Sequence, residues 1–246
     1  MKTSTKILII TLSVTILFMF SMVFWINWYL KENMVRKSGE DVTVNMSLNQ
    51  FDKINITGNF MVNLHEGINP EVKMKVDKNF KDLISISVQN KTLMIQSVNV
   101  VQTFGAVIDI TYADIKVINL IGGVNLTADN VDMSELLVKC DAGSSLLMDG
   151  KFNNLTCIVS NGSFLEVSGN TVNGTLTALN GSSIQAVDLQ IDTCYVSANG
   201  GSTVSVFAKD ILEVEASGNS VVTYSGTPKI TREDITGRSV LEVNNY

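Results

Sequence analysis

An uncharged apolar run dominates the first part of the sequence. Residues 7–30 contain no Asp, Glu, Lys, Arg or His, and Lys2 and Lys6 precede them. A helix rises about 1.5 Å per residue, so this run is long enough to cross the hydrocarbon core of a bilayer. The pattern predicts a short N-terminal tail at residues 1–6 and a transmembrane helix at residues 7–30.

The C-terminal end of this run carries three amphipathic aromatic residues, which favour the membrane–water interface: Trp25, Trp28 and Tyr29. A cleaved signal peptide is the alternative, but its apolar region is normally about 7–15 residues long and ends at a small-residue site. Here the run is longer, and the first alanine of the chain is Ala106. The sequence favours an uncleaved signal anchor, followed by a polar stalk over residues 31–50.

Positive charges flank the run on both sides, so the count of charges does not fix its orientation. Lys2 and Lys6 precede it, and Lys31, Arg36 and Lys37 follow it. We expect the short tail inside and the large domain outside, because the N-terminus otherwise resembles an export signal.

Residues 51–115 alternate between apolar and polar side chains, which is the period of a half-buried β-strand. Strands are expected at FDKINI, FMVNLH, EVKMKVD, LISISV and TLMIQS, with a hairpin turn at residues 89–92. Asp77 is placed to cap one helical turn. We expect an antiparallel or mixed N-terminal β region that covers the first coil of the repeat that follows.

Residues 116–246 keep the alternation and add a repeat of about 19 residues. Turn-forming pairs such as Asn161-Gly162 each precede a serine, and the serines follow one another at intervals of 19, 19, 20, 18 and 19. The serines are Ser144, Ser163, Ser182, Ser202, Ser220 and Ser239. Every second position around them is apolar in nearly every copy, and the alternate positions are mixed and mostly polar. A degenerate earlier coil is centred on Gly123.

Aligned apolar columns of this kind are typical of strands stacked in parallel coils. The sequence therefore predicts an all-β fold: a right-handed parallel β-helix (a β-solenoid of about 19-residue coils), preceded by an N-terminal β-rich cap region and one transmembrane helix. The right-handed sense follows from the strong preference of parallel crossovers. Each coil is expected to contain two or three short strands.

The six serines share the parity of the buried columns, so we expect a structural serine ladder whose hydroxyls bond along the stack or to turn carbonyls. Two alternatives are disfavoured. Glycosylation at the sequons of Asn161, Asn173 and Asn180 is disfavoured because these sequons are by-products of turn chemistry. A nucleophilic serine is disfavoured because six equivalent serines face inward and the repeat contains no histidine.

Composition excludes several classes of site. The net charge is −6 and residues 152–208 contain no Lys or Arg, which argues against a nucleic-acid partner. Three cysteines, Cys140, Cys157 and Cys194, fit neither a disulfide framework nor a C-x-x-C metal site, and their spacing favours buried free thiols. His65 is the only histidine, and we expect it at the surface rather than in a metal site.

The outward-facing acidic residues of the repeat do not pair: Asp141, Glu166, Glu213, Glu215 and Glu242. Neither a glycosidase dyad nor a calcium cage is therefore predicted. Three further carboxylates lie on the less regular third side of the coils, where solvated turn residues are favoured over a cation site: Asp188, Asp192 and Asp210. No catalytic residue, cofactor site or metal site is predicted.

The order of these parts resembles the family called putative auto-transporter adhesin, head GIN domain. The resemblance covers about residues 51–228 and is carried by FDKINITGNFMVNLHEG, VDKNFKDLISISVQNKTLMIQS and the coils DAGSSLLM, SNGSFLEV, LNGSSIQAV and GGSTVSVFA. It implies a pectin-lyase-like β-helix at the bacterial cell envelope, often with an export or lipoprotein signal. This chain has no cysteine near the end of its apolar run to carry a lipid. The family brings no catalytic residues.

We therefore expect a membrane-anchored extracytoplasmic β-helix that acts as a non-catalytic binding or adhesion module, with a glycan or a cell-surface protein as ligand. One alternative is a membrane-attached cytoplasmic scaffold that polymerises through its solenoid ends. Charges near the open end disfavour it: Arg232, Glu233, Asp234 and Arg238. A third hypothesis, a polysaccharide-cleaving β-helix enzyme, lacks the paired outer carboxylates that it needs.

Overall fold

The computed structural model of the protein describes residues 3–33, 37–97 and 105–244. It divides into two compact units, Met1–Lys37 and Ser38–Tyr246. Each unit has its own kind of secondary structure, helical in the first and almost wholly β in the second.

The first unit contains helix α1, Thr3–Asn33. Within it, Ile10–Trp28 has a mean hydropathy of 1.9, and the side chains of this stretch are exposed. Its length and composition are those of a membrane span. The side chains of Trp25 and Trp28 are exposed at its C-terminal end, whereas that of Tyr29 lies outside the described residues.

The second unit is built from sixteen described strands in one hydrogen-bonded sheet. They are β1 (Asp41–Ser47), β2 (Lys53–Thr57), β3 (Met61–Glu66), β4 (Glu71–Asp77), β5 (Ile84–Gln89), β6 (Thr92–Ser97), β7 (Val107–Tyr112), β8 (Val117–Ile121), β9 (Asn125–Asp141), β10 (Ser145–Ser160), β11 (Phe164–Leu179), β12 (Ser183–Asn199), β13 (Thr203–Ser217), β14 (Val221–Ser225), β15 (Lys229–Ile235) and β16 (Val240–Val243). A 3₁₀ turn, Lys81–Leu83, separates β4 from β5. Part of the stretch assigned to a stalk is therefore strand β1.

Strands β9 to β13 each form one coil and pair in parallel with the coil before and the coil after. The apolar columns read from the sequence are the buried columns of this stack. One of them is in register and fully enclosed along five strands: Leu146, Leu165, Ile184, Val204 and Val222. The predicted all-β parallel solenoid is thereby confirmed. Each coil is one long bent strand rather than two or three short ones, because the ladder of hydrogen bonds continues around the corners through bulges.

The chain turns sharply where each coil ends, and two successive residues there adopt positive φ. Asn161 and Gly162, for example, have φ of 54° and 73°. Asn and Gly tolerate this left-handed region at low cost, whereas most residues do not. The recurring turn-forming pairs thus mark the boundary between one strand and the next, at the equivalent position in each coil.

The N-terminal strands do not follow the order of the sequence. Strand β2 lies between β6 and β8, and β3 lies between β7 and β9, all in parallel. The coil formed by β2 and β3 is therefore inserted between two coils that come later in the chain. The alternation of apolar and polar residues does not reveal this order, because it fixes which face a side chain occupies but not which strand it pairs with.

Antiparallel strands cover the N-terminal end of the stack, as a β-rich cap region predicts. Strand β4 pairs antiparallel with β1 and β7, and β5 pairs antiparallel with β6. The β5–β6 hairpin turns at Asn90 and Lys91, which have φ of 50° and 59°. These values are typical of a type I′ hairpin turn, as expected for the segment at residues 89–92.

Candidate binding surface

The serine ladder lies at the turn of each coil, with its hydroxyls inside the body. Four of the serines donate to the carbonyl oxygen three residues earlier, at 2.7–2.8 Å: Ser144, Ser182, Ser202 and Ser220. All four are buried, as is Ser163, while Ser239 is half-buried. Each donated bond closes the turn that precedes a strand.

The same hydroxyls also join neighbouring coils. Ser163 Oγ accepts a hydrogen bond from the backbone N–H of Gly143 at 3.2 Å. Ser220 Oγ accepts one from the N–H of Ser202 at 3.2 Å, and Ser239 Oγ accepts one from the N–H of Ser220 at 3.0 Å. These hydroxyls therefore bond to backbone groups of the neighbouring coils.

A second polar ladder runs along the exposed side of these turns. Asp141 Oδ1 accepts hydrogen bonds from Ser160 Oγ at 2.7 Å and from Asn161 Nδ2 at 2.6 Å, and these bonds lower the pKa of Asp141. Asn180 Nδ2 then donates to Asn161 Oδ1 at 3.0 Å. Three successive coils are thus tied together by side chains at the surface.

The outer face formed by the second halves of the coils ends in a charged network. Glu215 forms an ion pair with Arg232 and accepts a hydrogen bond from the Tyr195 hydroxyl. Thr231 Oγ1 donates to Glu213 at 3.2 Å. Glu213 and Glu215 are therefore engaged with hydroxyls or a guanidinium. Glu215 also lies opposite Asp234 of β15 in register, a pair of carboxylates on neighbouring coils that the sequence did not indicate.

Glu166 is exposed on the outer face of β11. Its register neighbours on the two adjacent strands are Leu147 on β10 and Gln185 on β12. An exposed carboxylate between an apolar and an amide side chain lacks the second acid that glycoside hydrolysis uses.

One corner of the coils departs from regular register. Strand pairing shifts between Met148 and Gly150, between Glu166 and Gly169, and between Ala186 and Gln190. We call this region the bulged corner; it comprises residues 129–132, 149–151, 168–170, 187–190, 207–209, 225–227 and 244. Bulges re-aim side chains and interrupt pairing, and they are over-represented next to functional sites.

Two clefts open along the bulged corner. The first, of about 270 Å³, is lined by residues of β9, β10 and β11, among them Asp149 and Asn170. The second, of about 650 Å³, is lined by Val187, Asp188 and Phe207 together with the segments that follow β14 and β16. Both clefts therefore lie at the same corner of the coils.

Glycines shape this corner because a side chain would collide with the next coil. A Cβ on Gly169 would lie 1.9 Å from the carbonyl oxygen of Gly150, and a Cβ on Gly226 would lie 2.2 Å from that of Ala208. The backbones therefore approach closely and leave space outside them.

The three carboxylates of the third side do not gather around a cation site. Lys209 Nζ lies 2.9 Å from Asp192 Oδ1 and 3.9 Å from Asp210 Oδ2. Within the described residues no three His, Cys, Asp or Glu side chains are grouped as metal ligands would be. Asp188 lines the second cleft instead.

The remaining candidate residues lie where the sequence suggested. Cys140, Cys157 and Cys194 are free and buried, and His65 is exposed. The bulged corner, by contrast, was not anticipated as a site. Its one sequence signal is the interval between Ser182 and Ser202, which is 20 rather than 19 and reflects the residues bulged out after Ala186.

The family model described as putative auto-transporter adhesin, head GIN domain, matches residues 50–228. This match confirms the resemblance noted in the sequence. No curated protein matches the chain.

Several solved structures share the fold at low sequence identity. A putative adhesin from Bacteroides fragilis has a TM-score of 0.78 and 16% identity, over 85% of this chain and 99% of that chain. A putative adhesin from Parabacteroides merdae has a TM-score of 0.67 and 16% identity, over 85% and 98%. A putative lipid binding protein from Parabacteroides distasonis gives the same four values. At this identity the likeness concerns the fold alone.

Proposed function

Because this chain belongs to the putative auto-transporter adhesin, head GIN domain family, we propose that it is a membrane-anchored binding module of the bacterial cell envelope. The β-helix lies on the extracytoplasmic side, does not catalyse a reaction and contacts a glycan or a protein of the cell surface. One observation carries the proposal: a rigid parallel stack with broad polar outer faces is joined in one chain to an apolar helix long enough to span a bilayer.

The helix serves as an uncleaved anchor at residues 7–30, with Trp25, Trp28 and Tyr29 at the membrane interface. Exposed apolar side chains along Ile10–Trp28 support this role, since such a surface is stable in lipid and not in water. The anchor keeps the body at the membrane, where many weak contacts with a surface polymer act together.

The surface chemistry supports binding without catalysis. The ladder serines are enclosed and bonded to backbone groups, so they are not placed to attack a substrate. The outward acid Glu215 is neutralised by Arg232, and Asp141 is held by Ser160 and Asn161. Fixed polar side chains on a rigid scaffold lose little conformational entropy when a ligand binds.

The orientation can be tested by labelling a single introduced thiol. Ile68 is 87% exposed, and the three native thiols are buried, so Ile68→Cys gives one reactive site on the body. Spheroplasts are treated with a membrane-impermeant maleimide before or after lysis. We expect full labelling before lysis, and the unchanged chain serves as the control for background. Labelling only after lysis would place the body in the cytoplasm and favour the scaffold.

Binding is tested next, with the full chain in detergent micelles. The immobilised chain is exposed to envelope polymers released from cells, and Ala198→Asp, which disrupts the stack, serves as the unfolded control. Retention by the folded chain and not by the control is the expected result. If both chains retained the envelope polymers equally, the folded β-helix would not be responsible for binding.

A further inference from the structure

We propose that the bulged corner is a groove for a linear, uncharged glycan that lies parallel to the axis of the stack. This inference rests on the proposed binding function and assigns its site and ligand class. The groove is formed by the two clefts of the corner, and its occupant contacts several coils at once.

The two clefts lie one after the other along the stack. The first ends at Asn170 on β11, and the second begins at Val187 on β12. These strands are hydrogen-bonded neighbours, with Gly169 opposite Leu189. With coils about 4.8 Å apart, the line of clefts from β9 to the end of β16 is roughly 29 Å long. A groove of this length suits an extended polymer better than a single small molecule.

Successive coils contribute lining residues about one coil spacing apart, and register shifts make these residues differ from coil to coil. Gly150, Gly169 and Gly226 let adjacent coils approach closely along the groove, because a Cβ at any of them would meet backbone of the adjacent coil at 2.4 Å or less.

The lining groups match the hydroxyls and carbon faces of a sugar. Asp149 accepts hydrogen bonds, Asn170 both donates and accepts, and Lys151 donates, all in the first cleft. Ser168 Oγ donates to Asp149 Oδ1 at 2.9 Å, which holds this carboxylate in place. The second cleft adds Phe207, whose ring offers an apolar surface to the C–H face of a pyranose.

The charged residues that line the groove favour a neutral polymer over an acidic one. Asp132, Asp149 and Asp188 line the two clefts, with Lys151 as the cation among their lining residues. A polyanion such as a polyuronate would meet more negative than positive charge and would be repelled. The groove therefore favours uncharged sugar units.

The test measures binding of neutral and acidic hexasaccharides to the full chain in detergent micelles, by calorimetry. The neutral probes are cellohexaose, maltohexaose and chitohexaose, and the acidic probe is hexagalacturonate. We expect at least one neutral hexasaccharide to bind, the matching trisaccharide to bind about tenfold more weakly because it spans one cleft, and hexagalacturonate not to bind.

Variants place the binding on the corner. Asp149→Ala and Phe207→Ala are each expected to weaken binding about tenfold, whereas Glu166→Ala, an exposed carboxylate on the flat outer face, leaves it unchanged. Thermal unfolding of each variant, measured without ligand, separates lost contacts from lost fold. If Phe207→Ala unfolds, Asp149→Ala and the exposed Asp188→Ala carry the comparison.

Three results would overturn the groove: no neutral hexasaccharide binds, hexagalacturonate binds as tightly as the neutral probes, or the corner variants bind as tightly as Glu166→Ala. The proposed function fails separately, when Ile68→Cys is labelled only after lysis or when envelope polymers are not retained by the folded chain. Retention of envelope polymers by Asp149→Ala at the unaltered level would leave a binding module whose site is elsewhere.

Discussion

The carboxylate of Asp77 accepts a hydrogen bond of 2.9 Å from the backbone N–H of Gly39. The backbone N–H and the hydroxyl of Ser38 donate to its other oxygen, each at 3.0 Å, as does the N–H of Asn79. Asp77 ends β4, so these four bonds fasten the first residues of the body to the cap region. Ser38 and Gly39 are thereby held in place before β1 begins.

This relationship predicts a pH dependence. Burial acts to raise the pKa of Asp77, but the hydrogen bonds from Ser38, Asn79 and Gly39 together outweigh it and lower the pKa to about 2. The pKa of an unfolded Asp is about 3.9. The stabilisation that Asp77 contributes is therefore fully present above about pH 3.9 and is lost as the pH falls through about 2. We expect Asp77→Asn to lower Tm at pH 7 and to have little effect near pH 2.

The measurement is thermal unfolding of the full chain in detergent between pH 2 and pH 7. Asp82→Asn is the matched control, because Asp82 is an exposed carboxylate on the nearby 3₁₀ turn. A Tm difference between Asp77→Asn and the parent chain that stays constant over this range would contradict the prediction.

Removing one hydroxyl from the serine ladder should cost about 1 kcal/mol. In Ser182→Ala the carbonyl oxygen of Leu179 loses its 2.7 Å hydrogen bond inside the body, and net costs of this size are usual for such bonds. Urea unfolding measures the change in free energy. Ser183→Ala is the control, since Ser183 is half-buried and faces outward on β12, and we expect a change within about 0.5 kcal/mol.

Two glycines separate the cost of a left-handed backbone from the cost of close approach. Gly162 has φ of 73° and open space around a Cβ, so Gly162→Ala should cost about 1–2 kcal/mol. Gly169 has φ of 108°, and its Cβ would lie 1.9 Å from the carbonyl oxygen of Gly150. Adding the cost of overpacking, we expect Gly169→Ala to cost about 3–5 kcal/mol. Equal losses of unfolding free energy for the two variants, measured in urea, would contradict the close approach of Gly169 to the backbone of Gly150.

The alanine column is a test of the stack itself. Ala178, Ala198 and Ala216 are in register and at most 2% exposed. A carboxylate in this column has no partner and no water, so Ala198→Asp should abolish folding. Ser197→Asp, at the neighbouring outward position, should fold with a circular dichroism spectrum like that of the parent. Loss of folding in both variants would contradict the assignment of Ala198 to the buried face and Ser197 to the outer face of the coil.

The three cysteines should be inert until the body unfolds. Burial raises the pKa of Cys140 and of Cys194 to about 12, and burial together with the adjacent Cys140 raises the pKa of Cys157. The thiolate is the reactive form, so at pH 8 a thiol reagent should modify none of them in the native chain and all three in denaturant. Rapid modification in the absence of denaturant would contradict the packing of these coils.

The coils from Ser144 onward could be predicted because each ends in a turn that requires the same backbone conformation. The turn needs two residues at positive φ, and the next residue closes it with a hydroxyl, so Asn161-Gly162-Ser163 and its copies recur. Earlier coils meet the same geometry differently: register places Phe60 and Val124 level with Ser144. With an apolar residue instead of serine, the repeat is degenerate around Gly123 and is not recognisable at Phe60, although both coils are present.

The bulged corner could not be predicted for a related physical reason. Register shifts fall at different places in successive coils, after Met148, after Glu166 and after Ala186. A column of equivalent residues therefore does not form, and its glycines do not align with a period. The clefts depend on how neighbouring bulges fit together in space, which spacing along one chain does not encode.

The insertion of β2 and β3 into the stack bears on how the protein is made. Both strands are made early, directly after β1, yet their neighbours on either side, β6 to β9, are all made later. Coils from β10 onward can add one at a time, each on the coil before it. Strand β2 instead waits for β6, and β3 waits for β7 and acquires its second neighbour only when about residue 128 has followed. Such a delay suits a chain that crosses a membrane in an extended state, because stable structure that would block the passage forms only after much of the body has arrived.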